Sequence, residues 1–439
     1  MTNYLAAIDL GTTKVVSIVG EKINNSERFK ILAYGETPSV GIRHGQVENI
    51  QNVVEVVRTT LNSLKTMSEI PEIKEVYVGI AGLHIRYIEN RTEILRPKYE
   101  ELITEDEIKT LESNARKLHV NSGEEVIHAI PQTYSVDNSD EITDPVGRLG
   151  YKLAGNFMII IERGISTHHT EVCINRLNLT LKEFILEPMA SARATLFEEE
   201  KDMGVAMIDI GGGTTDLIIF KDKVIRHTAI IPFGGNTITQ DIKSGCNITF
   251  RDAERIKIQY GSCVSSMVSA NNFITIPGIN GREPREISFK SLSYIIEARM
   301  IEIMDMILFE IKKHADKLGA GIVFTGGGSQ MTNLRELVKL KTGMDVRIGR
   351  PAYVSETSAK EIIHPKYSTA VGLIMCGFDS RKNEKDKTTV FKINIKNEEH
   401  SETVVTNEEN NNSNNNIKPK QSIKDMFKSM FYIDEKEEI

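Results

Sequence analysis

Four cysteines in 439 residues, Cys173, Cys246, Cys263 and Cys376, lie far apart and form no C-x-x-C pair. A small disulfide-stapled module is excluded, and a reducing, cytoplasmic setting is expected. No basic segment followed by an apolar one opens the chain, and Asp9 stands where the apolar core of a leader would be. No uncharged apolar stretch approaches the ~18 residues of a spanning helix, so the chain is not expected to cross a membrane. Neither sign of charge dominates: 54 Lys+Arg against 61 Asp+Glu leave a net −7. There is no global pull towards nucleic acid, and an anionic ligand must be met locally. With 40% hydrophobic and 26% charged residues, the composition is that of an ordinary soluble globular protein. At roughly 150 residues per domain, the length suggests about three domains and more than one core.

Tyr4 to Gly20 (YLAAIDLGTTKVVSIVG) reads as a strand, a Gly-Thr turn and a second β-branched strand. The pattern returns from Gly204 as GVAMIDIGGGTTDLIIF, with Asp209 in the place of Asp9. Two similar openings about 200 residues apart predict two related α/β halves rather than an array of short repeats. Between them, Val76 to Arg163 holds β-rich stretches around one helix, opened by a capping box at Thr104 to Glu107. That is enough for a small α+β insert. Helices are predicted over Ser166 to Asn178, from Pro188, over Arg251 to Tyr260, Lys290 to Leu318 and Asn333 to Lys341, with strands at Leu179 to Leu186 and Gly321 to Thr325. The last strand enters Gly326-Gly327-Gly328, a strand-glycine-helix arrangement typical of a ligand crevice.

A turn that approaches a phosphate must present backbone N–H groups without side chains in the way, which makes Gly11 and Gly211-Gly212-Gly213 informative. Thr12, Thr13, Thr214 and Thr215 add hydroxyls, and Lys14 could reach a phosphate or be merely solvated. Asp9 and Asp209, one before each turn, could orient Mg²⁺ through its waters. One Asp-x-Gly-Thr-Thr alone could equally be a tight turn; its duplication favours two turns clamping one nucleotide. The third glycine cluster lacks G-x-G-x-x-G spacing, and alone it is a weak signal.

The trio IDLGTTK, MIDIGGGTTD and IVFTGGGSQ, with Ala370-Val371-Gly372 near the end of the body, resembles the phosphate, adenosine and connecting motifs of the actin/heat-shock-chaperone/sugar-kinase superfamily. Within it, the chain resembles the FtsA family of bacterial cell-division actin homologues, over residues 1 to 380 and a final helix. The resemblance implies an α/β, actin-like two-lobed ATPase fold with an inserted α+β subdomain (called 1C in that family) and a C-terminal amphipathic helix. The first lobe would comprise residues 1–82 and 166–200, closed by a helix near 366–380, with the insert at 83–165. The second would span 201–365, including a smaller subdomain near 234–317; a linker at 381–420 and a helix at 421–433 would follow.

Carried over motif by motif, the resemblance implies ATP held with Mg²⁺ between the lobes. Asp9, Gly11, Thr12, Thr13 and Lys14 would hold phosphates from one side, and Asp209 with Gly211 to Thr215 from the other. Glu254 and Lys257 resemble an E-x-x-K that meets ribose and base, opposite Gly326, Gly327, Gly328 and Gln330; an ordinary i, i+3 charge pair is the competing reading. Glu187 in LEPMASA resembles a water-orienting catalytic acid, although a polar residue before a helix-starting proline is common. The family is at most a slow ATPase. It also implies filaments, binding of the FtsZ C-terminal tail on the lobe near Gly234 to Lys317, and contacts of the insert with later division proteins.

After about Ser380 the composition turns polar, with an Asn-rich run at 410 to 416, and reads as a flexible linker. Beyond it, Ile423, Met426, Phe427, Met430 and Phe431 fall on one helical face. Such a stripe can be core, a partner-groove ligand or a lipid anchor. A linker of about 40 residues spans roughly 35 Å, so the helix need not pack on the body, and lysines near it favour an anionic surface. Together with this stripe, the resemblance implies a protein that tethers the FtsZ ring to the inner face of the cell membrane. The alternatives are an actin-fold small-molecule kinase, a chaperone-type ATPase, for which too little chain remains, and a pilus-assembly actin homologue.

Overall fold

The computed structural model describes residues 4–382 apart from residues 25, 68, 69, 138, 140, 279–282 and 315–317. The predicted linker and terminal helix, with Ile423, Met426, Phe427, Met430 and Phe431, lie outside the described residues.

The chain starts with β1 (Tyr4–Leu10), β2 (Lys14–Lys22), β3 (Phe29–Pro38), the short pair β4 (Ile42–Arg43) and β5 (Gln46–Val47), α1 (Ile50–Met67) and β6 (Glu75–Ile80). The insert supplies β7 (Arg86–Leu95), α2 (Glu105–Arg116), β8 (Glu124–Val136) and β9 (Lys152–Arg163). The chain returns through α3 (Gly164–Asn175), β10 (Thr180–Leu186), α4 (Glu187–Thr195) and α5 (Glu198–Met203). The second half contains β11 (Val205–Ile210), β12 (Thr215–Lys221), β13 (Val224–Ile231), α6 (Gly235–Cys246), α7 (Phe250–Tyr260), β14 (Phe273–Ile276), β15 (Arg285–Ser288), α8 (Phe289–His314), β16 (Ile322–Thr325), α9 (Leu334–Thr342) and β17 (Val346–Ile348). A last helix, α10, occupies residues 368–382.

The repeated sequence openings correspond to repeated sheets. One runs β3-β2-β1-β6-β10 and the other β13-β12-β11-β16-β17. In each, a three-stranded antiparallel meander is extended by two parallel strands on the far side of its first strand. The first strands, YLAAIDL and VAMIDI, are apolar apart from Asp9 and Asp209 near their ends, because both faces of each sheet are covered. Ile18, Ile31 and Tyr77 pack with α10 on one face of the first sheet, while Ile8, Val15 and Val78 meet α1 and α3 on the other. In the second half, Ile208, Leu217 and Phe324 pack with Ile296, Met300 and Ile303 of α8. Each such side chain contributes about 1.5–3 kcal/mol when fully buried.

The strand from Val76 is β6, which lies parallel to β1 in the first sheet, before the insert begins. The insert's own sheet is β7-β9-β8, covered on one face by α2, whose Thr104 and Glu107 form both halves of the predicted capping box. Its other face packs through Ile85, Tyr87, Ile127 and Ile130 against Ile218, Phe220 and Ile225. Where α10 crosses α4, a Cβ at Gly372 would lie 1.8 Å from the Ala190 carbonyl oxygen, so only glycine lets the two backbones approach.

Candidate functional site

The two Gly-Thr turns meet tip to tip. A Cβ at Gly212 would lie 2.2 Å from Thr13 Cγ2, and one at Gly213 2.7 Å from Thr12 Oγ1. The second turn is oriented by its carbonyls: Gly235 N–H donates to Gly211 O (2.9 Å) and Asn236 N–H to Gly212 O (2.8 Å), while His44 Nδ1 lies 3.0 Å from Gly213 O. These contacts occupy the C=O groups, which would repel a phosphate. On the first turn, Gly45 N–H donates to Thr12 Oγ1 at 3.2 Å. Behind the turns opens a cleft of about 490 Å³.

Carboxylates from both halves converge in it. Asp9 lies one residue before the end of β1, Asp209 in β11, Asp216 in β12, and Glu187 opens α4. Asp209 Oδ2 accepts from Ser191 Oγ (2.6 Å) and Thr369 Oγ1 (3.2 Å), and Lys14 Nζ lies 3.8 Å from Asp9 Oδ2. Asp216 Oδ1 is buried without a hydrogen-bond partner. Burial, reinforced by Asp9, Asp216 and Asp209, holds the Glu187 carboxyl well above the usual range, and burial with Asp209 and Asp9 does the same to Asp216. Asp9 is raised by burial against the pull of Lys14, and Asp209 by burial against its Ser191 hydrogen bond. The positive charge of Lys14 opposes the upward shifts of Asp9, Asp209 and Glu187. Crowded oxygen donors of this kind, one atom of them orphaned, suit a hard divalent cation such as Mg²⁺ with part of its water shell.

The far end of the cleft is glycine-walled. Gly326 adopts φ +82°, and a Cβ there would lie 2.2 Å from Asp209 Oδ1; nothing lies within 4 Å of one on Gly327. Gln330, Met331 and Ile258 line the same end. Glu254 and Lys257 both line the cleft, and the mostly buried Lys257 donates to Gly235 O (3.0 Å), Thr239 Oγ1 (2.8 Å) and Glu254 (2.7 Å). Burial lowers the Lys257 pKa, and Glu254 opposes the shift.

The structure brings Asp9, Gly11, Thr12, Thr13, Lys14, Glu187, Asp209, Gly211, Gly212, Gly213, Thr214, Glu254, Lys257, Gly326, Gly327, Gly328 and Gln330 to this one cleft. Thr215 is the exception. It is fully buried, and its hydroxyl donates to Phe233 O at 2.8 Å. Side chains alternate along a strand, so Thr214 and Asp216 face the cleft and Thr215 the interior. The same alternation would have found Asp216 in GGGTTD. Gly45, Asn236, His364, Lys366 and Thr369 also line the cleft but come from segments without a local motif.

Residues 206–372 match the family model described as "Cell division protein FtsA", and residues 82–161 match "SHS2 domain inserted in FTSA". The chain is 35% identical to Cell division protein FtsA of Neisseria meningitidis serogroup B over 374 residues, covering 84% of this chain and 89% of that one. It is 31% identical to the Escherichia coli K12 protein of the same name over 390 residues, covering 86% and 91%. The chain belongs to the FtsA family of cell division proteins. Its fold is actin-like: the MreB5 structure of Spiroplasma citri bound to ADP superposes with TM-score 0.53 over 88% of this chain and 99% of that one at 15% identity. The PilM-PilN type IV pilus biogenesis complex does so with TM-score 0.57 over 85% and 98%, also at 15% identity. The identities of 35% and 31% over most of the chain, rather than the fold likeness, favour the FtsA family over the kinase and pilus-assembly alternatives. Among the described residues, no helix is long and apolar enough to cross a membrane, and the four cysteines are free.

Proposed function

We propose that this FtsA-family chain binds Mg-ATP between its halves, polymerises, and tethers the FtsZ ring to the inner face of the cell membrane at mid-cell. The observation that carries the reading is the pair of Gly-Thr turns in contact above converging carboxylates. Asp9 and Asp209 would orient the ion through water, Gly11 to Lys14 and Gly211 to Thr214 would meet the phosphates, and Glu254, Gly326 to Gly328 and Gln330 would enclose the nucleoside. The ion would neutralise phosphate charge beside the acids. Glu187, a carboxyl held protonated more readily than usual, would sit where an attacking water could be oriented, which supports at most a slow hydrolysis. The lobe, insert, linker and tail divisions expected from the sequence are retained in this reading.

The FtsZ tail would bind the second half, later division proteins the insert, and lipid the stripe from Ile423 to Phe431. A single tail would bind weakly and an array of tails in a polymer firmly, because each further contact is intramolecular. The test is cellular position together with vesicle sedimentation. A mid-cell ring coincident with FtsZ and steeply concentration-dependent lipid binding are expected; diffuse cytoplasmic protein that ignores vesicles would reject the proposal.

A further inference from the structure

Away from the cleft, side chains from three elements meet where the insert packs on the edge of the second sheet. His227 of β13 is 1% exposed. Its Nδ1 lies 2.6 Å from the hydroxyl of Tyr87 on β7, and its Nε2 lies 3.0 Å from Glu310 Oε2 on α8. One turn further along α8, the exposed His314 stacks on His227, with ring centroids 3.7 Å apart and planes 10° from parallel. The ligand atoms of His227, Glu310 and His314 all lie within 4.8 Å of one another. Lys313 Nζ reaches the other oxygen of Glu310 at 3.3 Å and otherwise covers the Phe309 ring.

We propose that His227, Glu310 and His314 form a binding site for a zinc-class divalent ion, with Tyr87 of the insert as the hydrogen-bond partner that orients His227. The donor set argues for the metal class: two imidazoles and one carboxylate suit zinc rather than magnesium or calcium, and three protein ligands leave a fourth position for water. Glu310 and His314 are four residues apart on one helix, the spacing that puts two ligands on one face. Burial pushes His227 to the neutral form that ligates.

Tetrahedral ligands about 2.1 Å from zinc lie ~3.4 Å apart, so the widest ligand separation must contract by up to about 1.4 Å. His314 must also turn its ring edge towards the ion, which its exposed position near the end of α8 permits. Glu310 also lines a groove of about 650 Å³ between β13 and α8, which gives an ion a path from solvent. On binding, the His227 proton shifts from Nε2, where it serves Glu310, to Nδ1, where it is donated to Tyr87 oxygen; the imidazole carries one proton before and after. The bound ion pins β13 to α8 and, through Tyr87, ties the second half to the insert.

Full-length protein stripped with chelator and dialysed against Zn²⁺ in excess Mg²⁺, which masks the carboxylates of the cleft, is expected to retain one zinc per chain. Co²⁺ in its place should give the visible absorption of a four-coordinate site. His314→Ala and Glu310→Gln, both outside the core, should lose the metal with unchanged circular dichroism. Tyr87→Phe should weaken binding about 10–100-fold, the usual cost of losing a partner that orients a ligand. Failure of the parent to take up zinc, or equal retention by His314→Ala and Glu310→Gln, as the cysteines would give, overturns the site. Unchanged affinity in Tyr87→Phe overturns the link to the insert.

Discussion

A methyl group added at the tip of the second turn should act as a wedge between the halves. In Gly212→Ala, the new Cβ would lie 2.2 Å from Thr13 Cγ2, where ordinary contact begins at 3.4–4 Å. The turns must therefore separate by about 1.2–1.8 Å, the difference between those distances. Overpacking on this scale costs about 1–3 kcal/mol. Here the strain falls on the closed arrangement rather than on either half, so it should weaken Mg-ATP binding by about 5- to 150-fold, at 1.4 kcal/mol per factor of ten. Thr13→Ser removes the closest atom, Cγ2, but leaves Oγ1 at 3.0 Å and Cβ at 3.1 Å from the new methyl, so the double variant should recover part of the loss. Calorimetric titration of the single and double variants with Mg-ATP measures this coupling, and thermal melts without nucleotide check that each half stays folded. Gly212→Ala binding within twofold of the parent, or a double variant no better than the single one, would refute the wedge and with it the facing of the turns.

Asp216→Asn should stabilise the nucleotide-free protein at pH 8. Its carboxyl is raised well above the usual range, so the folded state keeps a proton that the unfolded chain releases, and stability falls as pH climbs through that interval. The gain in melting temperature should shrink towards pH 4–5, and a gain independent of pH would contradict the charge argument. Lys257→Met should destabilise by about 3 kcal/mol in urea unfolding, the lower end for breaking a buried pair because Glu254 keeps some water. Glu254→Gln should cost less stability and more nucleotide affinity, and the reverse ranking would exchange the roles assigned to the two. Phe427→Asp with Phe431→Asp should release the protein from anionic vesicles while Mg-ATP binding is unchanged; persistent sedimentation with lipid would reject the anchor.

The duplicated openings were legible because a strand, a bare turn and a β-branched strand leave a local signature, and the paired sheets follow them element for element. Thr104 and Pro188 likewise announce their helices through chemistry confined to one turn. What was missed has a different physical origin. Thr215 and Asp216 exchanged places for want of a period-two argument along β12. Gly45, Lys366 and Thr369 reach the cleft only through tertiary folding, and Tyr87 meets His227 across 140 residues, so neither neighbourhood is written in any single stretch.

The claim on which the rest depends is that turns from opposite halves hold one nucleotide. A crystal structure of the chain grown with Mg²⁺ and a non-hydrolysable ATP analogue tests it most directly. The account predicts triphosphate density between Thr12 to Lys14 and Gly211 to Thr214, with the ion beside Asp9 and Asp209. Analogue bound elsewhere, or a cleft without it at saturating concentration, would contradict it.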